Sequence, residues 1–274
     1  MTVIQSIILG IIQGLTEFLP ISSSGHLVIA PYIFGWEIPE TEAFIFNVLL
    51  QVSSLISLIL YFRNDLIEIG KALWVSIITK SPSYSEQSRL GWLLLISTIP
   101  AGLFGILLEG LVKLAFANPI MVAVSLPLTA GLLLLAELSG KRTKKLNQIT
   151  WLDSLWIGLF QVLALFPGVS RSGATISAGM IRDLKRPASA RFAFLMSVPI
   201  MLAAGLSAMY DLLQLPDFYL IIPTFIPGFI SSTVVGYIAI RWLLKYLVKN
   251  KLTIFILYCT ALSIVIFILY LNNY

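Results

Sequence analysis

The chain has 274 residues, of which 58% are hydrophobic and only 11% charged, with a mean hydropathy of +0.94. Soluble domains carry about 25% charged residues, so this composition excludes an ordinary water-soluble enzyme and describes an all-α polytopic membrane protein. The net charge of +5 needs no nucleic-acid partner, and a single cysteine excludes an internal disulfide or a Cys-rich metal site.

In chain order, the first apolar segment, roughly 3–35, is interrupted by Leu19-Pro20 and a serine-rich turn. Proline removes a backbone donor and disfavours a helical residue before it. Each half holds about 12–15 residues, too short to cross a bilayer at 1.5 Å per residue, so the segment is expected to be a re-entrant helical hairpin. Such broken backbone is tolerated at membrane depth only where protein or a wet cavity covers it. The segment lacks a basic start and a small-x-small cleavage site, so it reads as part of the mature protein rather than a signal peptide.

Uninterrupted spans are expected at 44–62, 91–108 and 115–136. The first carries Asn47, Gln51, Ser53 and Ser54, which can tie helices together or serve a site. Glu109 and Lys113 flank a short loop between the second and third. A second interrupted segment, roughly 152–182, is broken at Phe166-Pro167-Gly168 and is expected to be a second re-entrant hairpin. Three more spans follow at 192–210, 218–240 and 252–271, the middle one kinked by Pro223, Pro227 and Gly228. The last holds Cys259, read as a small packing residue. None of the six spans contains Asp, Glu, Lys, Arg or His.

The two interrupted segments are copies of one another. Gln13–Ile33 aligns without gaps on Gln161–Ile181 at an offset of 148 residues, with 8 of 21 positions identical, among them Gln13/Gln161, Ser22/Ser170, Ser24/Ser172 and Gly25/Gly173. The chain therefore reads as one membrane domain of two repeats, about 1–138 and 150–274, each a hairpin plus three spans. An odd number of crossings per repeat forces an inverted topology. The basic clusters Arg63/Lys71/Lys80/Arg89, Lys141/Arg142/Lys144/Lys145, Arg182/Lys185/Arg186/Arg191 and Arg241/Lys245/Lys249/Lys251 then share one face. The positive-inside rule makes that face cytoplasmic, with both termini external. The hairpins dip in from opposite sides and their tips meet near the midplane.

Glu17, His26 and Arg171 are the ionisable residues nearest those tips. An intramembrane ionisable residue is costly and marks function by default. Gln13 lies one helical turn before Glu17, on the same face. The turns Ser22-Ser23-Ser24-Gly25 and Ser170-Arg171-Ser172-Gly173 each open a half-helix. Helix N-termini bind phosphate through free N–H groups, although the same serines can simply cap the helices. Arg171 adds a bidentate phosphate clamp. Two such ends face to face suit a phosphate or diphosphate head group. Gly10-x-x-x-Gly14 is expected to serve close helix packing.

Gln13-x-x-x-Glu17-Phe-Leu-Pro-x-Ser-Ser-x-Gly-His26 and Phe166-Pro-Gly-x-Ser-Arg171-Ser-Gly-Ala-Thr175 resemble the two signature motifs of the undecaprenyl-pyrophosphate phosphatase, or bacitracin-resistance, family. The similarity runs over essentially the whole chain. It implies hydrolysis of undecaprenyl (polyprenyl) diphosphate to the monophosphate carrier used in cell-wall synthesis. It also implies a divalent cation, Mg²⁺ or Ca²⁺, an inverted repeat of six transmembrane helices and two re-entrant hairpins, and often a homodimer. Where many members have Glu, this chain has Gln13, which cannot act as acid or base but whose carbonyl can ligate a cation alongside Glu17. On this reading Glu17 holds the metal or acts as base and Arg171 neutralises phosphoryl charge. His26, Ser23 or a metal-activated water attacks, and Ser22, Ser24, Gly25, Ser170, Ser172, Gly173 and Thr175 position the diphosphate. The competing function is a transporter or flippase for the polyprenyl monophosphate, since inverted repeats with broken helices are a transporter plan.

Overall fold

The computed structural model describes residues 1–108, 110–112, 120–214 and 218–272. Among them there is no strand, only one isolated parallel bridge between Lys144 and Leu184. The helices are α1 (Val3–Phe18), α2 (Ser23–Phe34), α3 (Glu40–Tyr61), α4 (Arg63–Ile78), α5 (Glu86–Leu107), α6 (Ile120–Leu138), α7 (Trp151–Leu163), α8 (Arg171–Ile181), α9 (Arg186–Leu213), α10 (Ile222–Tyr246) and α11 (Thr253–Asn272). Five of them, α3, α5, α6, α9 and α10, are long and apolar enough to cross a membrane. The sixth expected span, α11, is a further apolar helix of 20 residues. Residues 115–119, where the third span was expected to begin, and Glu109 and Lys113 lie outside the described residues.

Both interrupted segments form helical hairpins whose two ends lie together. Asp153 near the start of α7 receives a bond from Nε of Arg182, just past α8, at 2.7 Å, and Lys144 adds a 3.2 Å contact. The first hairpin opens at the other end of the molecule. There the amino terminus pairs with Glu42 at the start of α3, and Ser6 Oγ donates to Thr224 O at the start of α10 at 2.9 Å. The two hairpins thus enter from opposite ends.

Packing follows a two-fold pattern that crosses the repeats. α1 lies along α10 as α7 lies along α5, while α3 meets α9 and α6 meets α11. The contacts are made by equivalent residues. Ser6 bonds the backbone of α10, and Ser154, 148 residues later, donates to Leu93 O of α5. A Cβ on Gly10 would lie 2.1 Å from Gly228 O, and one on Gly158, its repeat partner, 2.3 Å from Ser97 O. Gly14 touches the backbone of α10 in the same way. In lipid, where tails are as apolar as leucine, close backbone approach through small residues replaces the hydrophobic drive between helices.

One element was not expected. Residues 63–78, read as part of a charged loop, form α4, a helix that rests on α5 through Leu73 and Ile69 and through Trp92 Nε1 donating to Ser76 Oγ at 3.0 Å. Its charges, Arg63, Asp65, Glu68 and Lys71, hid a helix that leaves Ile67, Trp74, Ile77 and Ile78 exposed. That pattern suits a helix lying at the membrane surface.

Candidate active site

The proline breaks bring the two tips together. α1 ends at Phe18, and Ser22, in left-handed backbone at φ 70°, turns the chain into α2. In the second tip the left-handed residue is instead Gly168 at φ 87°, where a side chain would strike Val122 and Ser125 of α6. Gly168 N–H donates to Ser24 Oγ at 3.3 Å and Ser172 Oγ donates to Leu19 O at 3.0 Å, so the tips are bonded to each other.

Glu17 is the hub. It is 8% exposed, and Ser23 Oγ donates to its Oε2 at 2.5 Å. Gln13 Nε2 donates to the same oxygen at 3.0 Å and to Ser54 Oγ at 3.1 Å, while Arg171 Nη2 reaches Oε1 at 2.6 Å. A buried carboxylate is tolerable only when paired and hydrogen-bonded in this way. Gln13 Oε1 is buried without a partner beside it. Arg171 Nη2 also rests on Met201 Sδ.

Glu17, Ser23 and Arg171 border a polar cavity of about 190 Å³ lined also by Ser22, Ser24 and Ser170, together with Gln51 and Ala164, while Gln13 lies buried behind it. A second cavity of about 350 Å³ between α3, α5, α7 and α9 shares Gln51, Ala164 and Arg171 with it and is walled mainly by apolar residues such as Phe44, Leu165 and Ile200. A polar chamber opening into an apolar groove suits a lipid with an anionic head. A further cavity of about 360 Å³ lies at the basic end, bordered by Asp65, Glu86 and Arg191. It shares no lining residue with the cavities at the tips.

The remaining expected residues are placed as follows. Ser22 and Ser170 cap α2 and α8 by accepting from Gly25 N–H at 3.3 Å and Gly173 N–H at 3.1 Å. Their hydroxyls also face Ser24 and Ser172. Thr175 Oγ1 donates to Arg171 O at 2.8 Å, steadying the helix turn that bears the guanidinium. Gly25, Ser172, Gly173 and Thr175 do not border the polar cavity. His26 does not border it either. Its Nδ1 lies 2.7 Å from Ser22 O and its Nε2 2.6 Å from Tyr258 Oη, the ring stacking on Tyr258 at 5.7 Å.

Sequence reasoning did not single out three contributors. Ser170 N–H donates to Thr129 Oγ1 on α6 at 3.0 Å, Tyr258 reaches the hairpin from α11, and Gln161 borders the apolar groove. Only Gln161 carried a signal, as the repeat partner of Gln13. Among the described residues no cluster of three or more His, Cys, Asp or Glu is placed to hold a metal. The oxygens near enough to serve a hard cation are the Glu17 carboxylate, which borders the cavity, and the orphaned Gln13 Oε1, buried behind it; so small a set fits only a cation that completes its shell with phosphate oxygens and water.

Comparison with known proteins agrees with this geometry. The family described as Bacitracin resistance protein BacA matches residues 6–265. The chain is 39% identical to an undecaprenyl-diphosphatase of Thermomicrobium roseum over 97% of both chains. It is 41% identical to one of Thermodesulfovibrio yellowstonii over 97% of this chain and 96% of that one. A third, from Mycolicibacterium smegmatis, is 38% identical over 97% and 96%. With a family match from one end of the fold to the other and relatives of this similarity covering nearly its full length, the chain belongs to the bacitracin resistance protein BacA family.

Proposed function

We propose that this protein is an integral-membrane phosphatase that hydrolyses undecaprenyl (polyprenyl) diphosphate to the lipid monophosphate and inorganic phosphate, recycling the carrier for cell-wall synthesis. The observation that carries the reading is the Ser23 hydroxyl donating to Glu17 at 2.5 Å while Arg171 grips the same carboxylate at 2.6 Å, where two half-helix N-termini converge. A transporter needs no activated hydroxyl at that point.

Ser23 Oγ is the nucleophile and Glu17 the general base. As Oγ attacks the terminal phosphorus, its proton passes to Glu17 Oε2. The phosphoanhydride bond breaks and the lipid monophosphate leaves as an anion. Water then attacks the phosphoserine, releasing inorganic phosphate and restoring the hydroxyl. Arg171 stabilises the charge on the transferred phosphoryl group. Glu17 and Gln13 Oε1 would hold a divalent cation, Mg²⁺ or Ca²⁺, which supplies charge neutralisation to the diphosphate. His26 acts from outside the chamber, its ring on the Ser22 carbonyl fixing the peptide that presents Ser23.

The basic end of the molecule faces the cytoplasm of the plasma membrane and both termini are external. The test is phosphate release from undecaprenyl diphosphate in detergent, with and without EDTA. Release that EDTA suppresses and Mg²⁺ or Ca²⁺ restores is expected. Brief reaction with substrate labelled in its terminal phosphate, followed by acid quench, should leave an acid-stable phosphoserine at Ser23. An acid-labile label on His26 would move the nucleophile, and folded protein that releases no phosphate would favour the flippase.

A further inference from the structure

Gln161 lies near the end of α7, is 3% exposed, and has no hydrogen-bond partner for either Nε2 or Oε1. Its repeat partner Gln13, by contrast, has both protons of its amide engaged, donating to Glu17 and to Ser54. Gln161 instead borders the apolar groove, as do Asn47 and Gln51, one helical turn apart on α3. A prenyl chain can cover the wall formed by Phe44, Val48, Leu165 and Met201, but it leaves the buried Gln161 amide unanswered and would cover the exposed amides of Asn47 and Gln51. Burying an amide without a partner is unfavourable, so the groove is built for something with polar atoms as well as hydrocarbon.

Phosphoryl oxygens are that polar group. The terminal phosphate lies with Ser23, and the proximal phosphate, esterified to the prenyl chain, must sit on the side from which the chain departs. Gln51 and Arg171 border both cavities and mark that side. We infer that Gln161, together with Gln51 and Asn47, binds the proximal phosphoryl group of the polyprenyl diphosphate and therefore holds the lipid monophosphate after cleavage. This rests on the phosphatase reading of the adjoining chamber and adds its second phosphate contact. The amides donate through N–H without adding charge, so the site grips a monoester strongly enough to orient it and releases it once the anhydride is cut.

The test uses the full-length protein in detergent, with undecaprenyl diphosphate as substrate and undecaprenyl monophosphate and inorganic phosphate as separate inhibitors. Gln161→Leu removes the amide at nearly constant volume. Its Tm is expected to equal or exceed that of wild type, because an unmatched buried polar group is lost. KM for the diphosphate and the inhibition constant of the monophosphate should rise together by about tenfold, with kcat falling less and the inhibition constant of inorganic phosphate unmoved. Gln161→Glu, of the same shape but anionic, should bind monophosphate more weakly still. Unchanged KM and monophosphate inhibition in folded Gln161→Leu would overturn the assignment. So would a shift confined to inorganic phosphate, which would make the groove an exit for that product. If Gln161→Leu does not fold, Gln51→Leu on α3 carries the same expectations for KM and monophosphate inhibition. Wild type without phosphatase activity would refute the hydrolase reading instead. The rise in Tm on adding monophosphate, and its loss in Gln161→Leu, tests the groove independently.

Discussion

Glu17 accepts from three side chains, two on its own hairpin and one from the opposing tip. Each contact has a separate job, so the variants should separate. Ser23→Ala removes the attacking atom and should lower kcat by about 10³-fold or more. Glu17→Gln keeps the shape but cannot take a proton, and a loss of about 10²–10⁴-fold is expected. Combining the two should cost little more than Ser23→Ala alone, because residues that act as a unit are not additive. Arg171→Lys keeps the charge but loses the planar fork, and about 10²-fold should disappear. Phosphate release from purified variants checks all four, and wild-type turnover in any one removes that residue from the mechanism. Residue types and spacing pointed to Gln13, Glu17, Ser23 and Arg171, which the fold brings into contact, because ionisable and hydroxyl groups are conspicuous in an apolar sequence. The direction of His26 was not legible. Its neighbour Ser22 adopts left-handed backbone, and Tyr258, 232 residues away, takes up the ring.

The elements repeat the same lesson at larger scale. Proline and half-length apolar runs announced both hairpins, and the 148-residue offset announced their kinship. The sequence could not show that each hairpin leans on the second span of the other repeat, since that depends on three-dimensional closure. Once visible, the contact explains Gly10, Gly14 and Gly158, whose missing side chains let backbones touch. α4 escaped notice because a surface helix mixes charge and apolar residues and matches neither a span nor a loop. The glycine contacts predict matched phenotypes. A methyl at Gly10 meets carbonyl oxygen of α10 at 2.1 Å and one at Gly158 meets carbonyl oxygen of α5 at 2.3 Å, so backbone rather than a flexible side chain must move. Gly10→Val and Gly158→Val should each destabilise by about 1–3 kcal/mol or more, lowering Tm in detergent to a similar degree. Gly102, where an added methyl would meet nothing within 4 Å, is the control, and Gly102→Ala should leave Tm within the scatter of wild type. A mild effect at Gly158 beside a severe one at Gly10 would contradict the two-fold pairing.

At the scale of the whole molecule, four loops that are far apart in sequence converge. Arg191 pairs with Asp65, Arg182 and Lys144 share Asp153, and Arg186 Nε donates to Glu137 Oε1 at 2.8 Å. Leu252 N–H donates to the same Glu137 oxygen at 2.8 Å, which draws in the loop before α11. All four basic clusters foreseen in the sequence therefore lie at one end, and the opening of the first hairpin lies at the other. Charge clusters were legible because topogenic loops concentrate Lys and Arg. Their acidic partners were not, since Asp65, Glu137 and Asp153 occur singly. The arrangement predicts a definite orientation. Basic segments held together at one end resist translocation, and the positive-inside rule places that end in the cytoplasm. The natural Cys259 is buried and should stay silent to a membrane-impermeant maleimide. A cysteine at exposed Glu37, between α2 and α3, should then label in intact cells. One at exposed Ser81, between α4 and α5, should label only after the membrane is opened. The reverse pattern would turn the molecule over, and with it the side from which each hairpin dips. Labelling of both sites in intact cells would deny that the two loops lie on opposite sides, and the inverted repeat would fall with them.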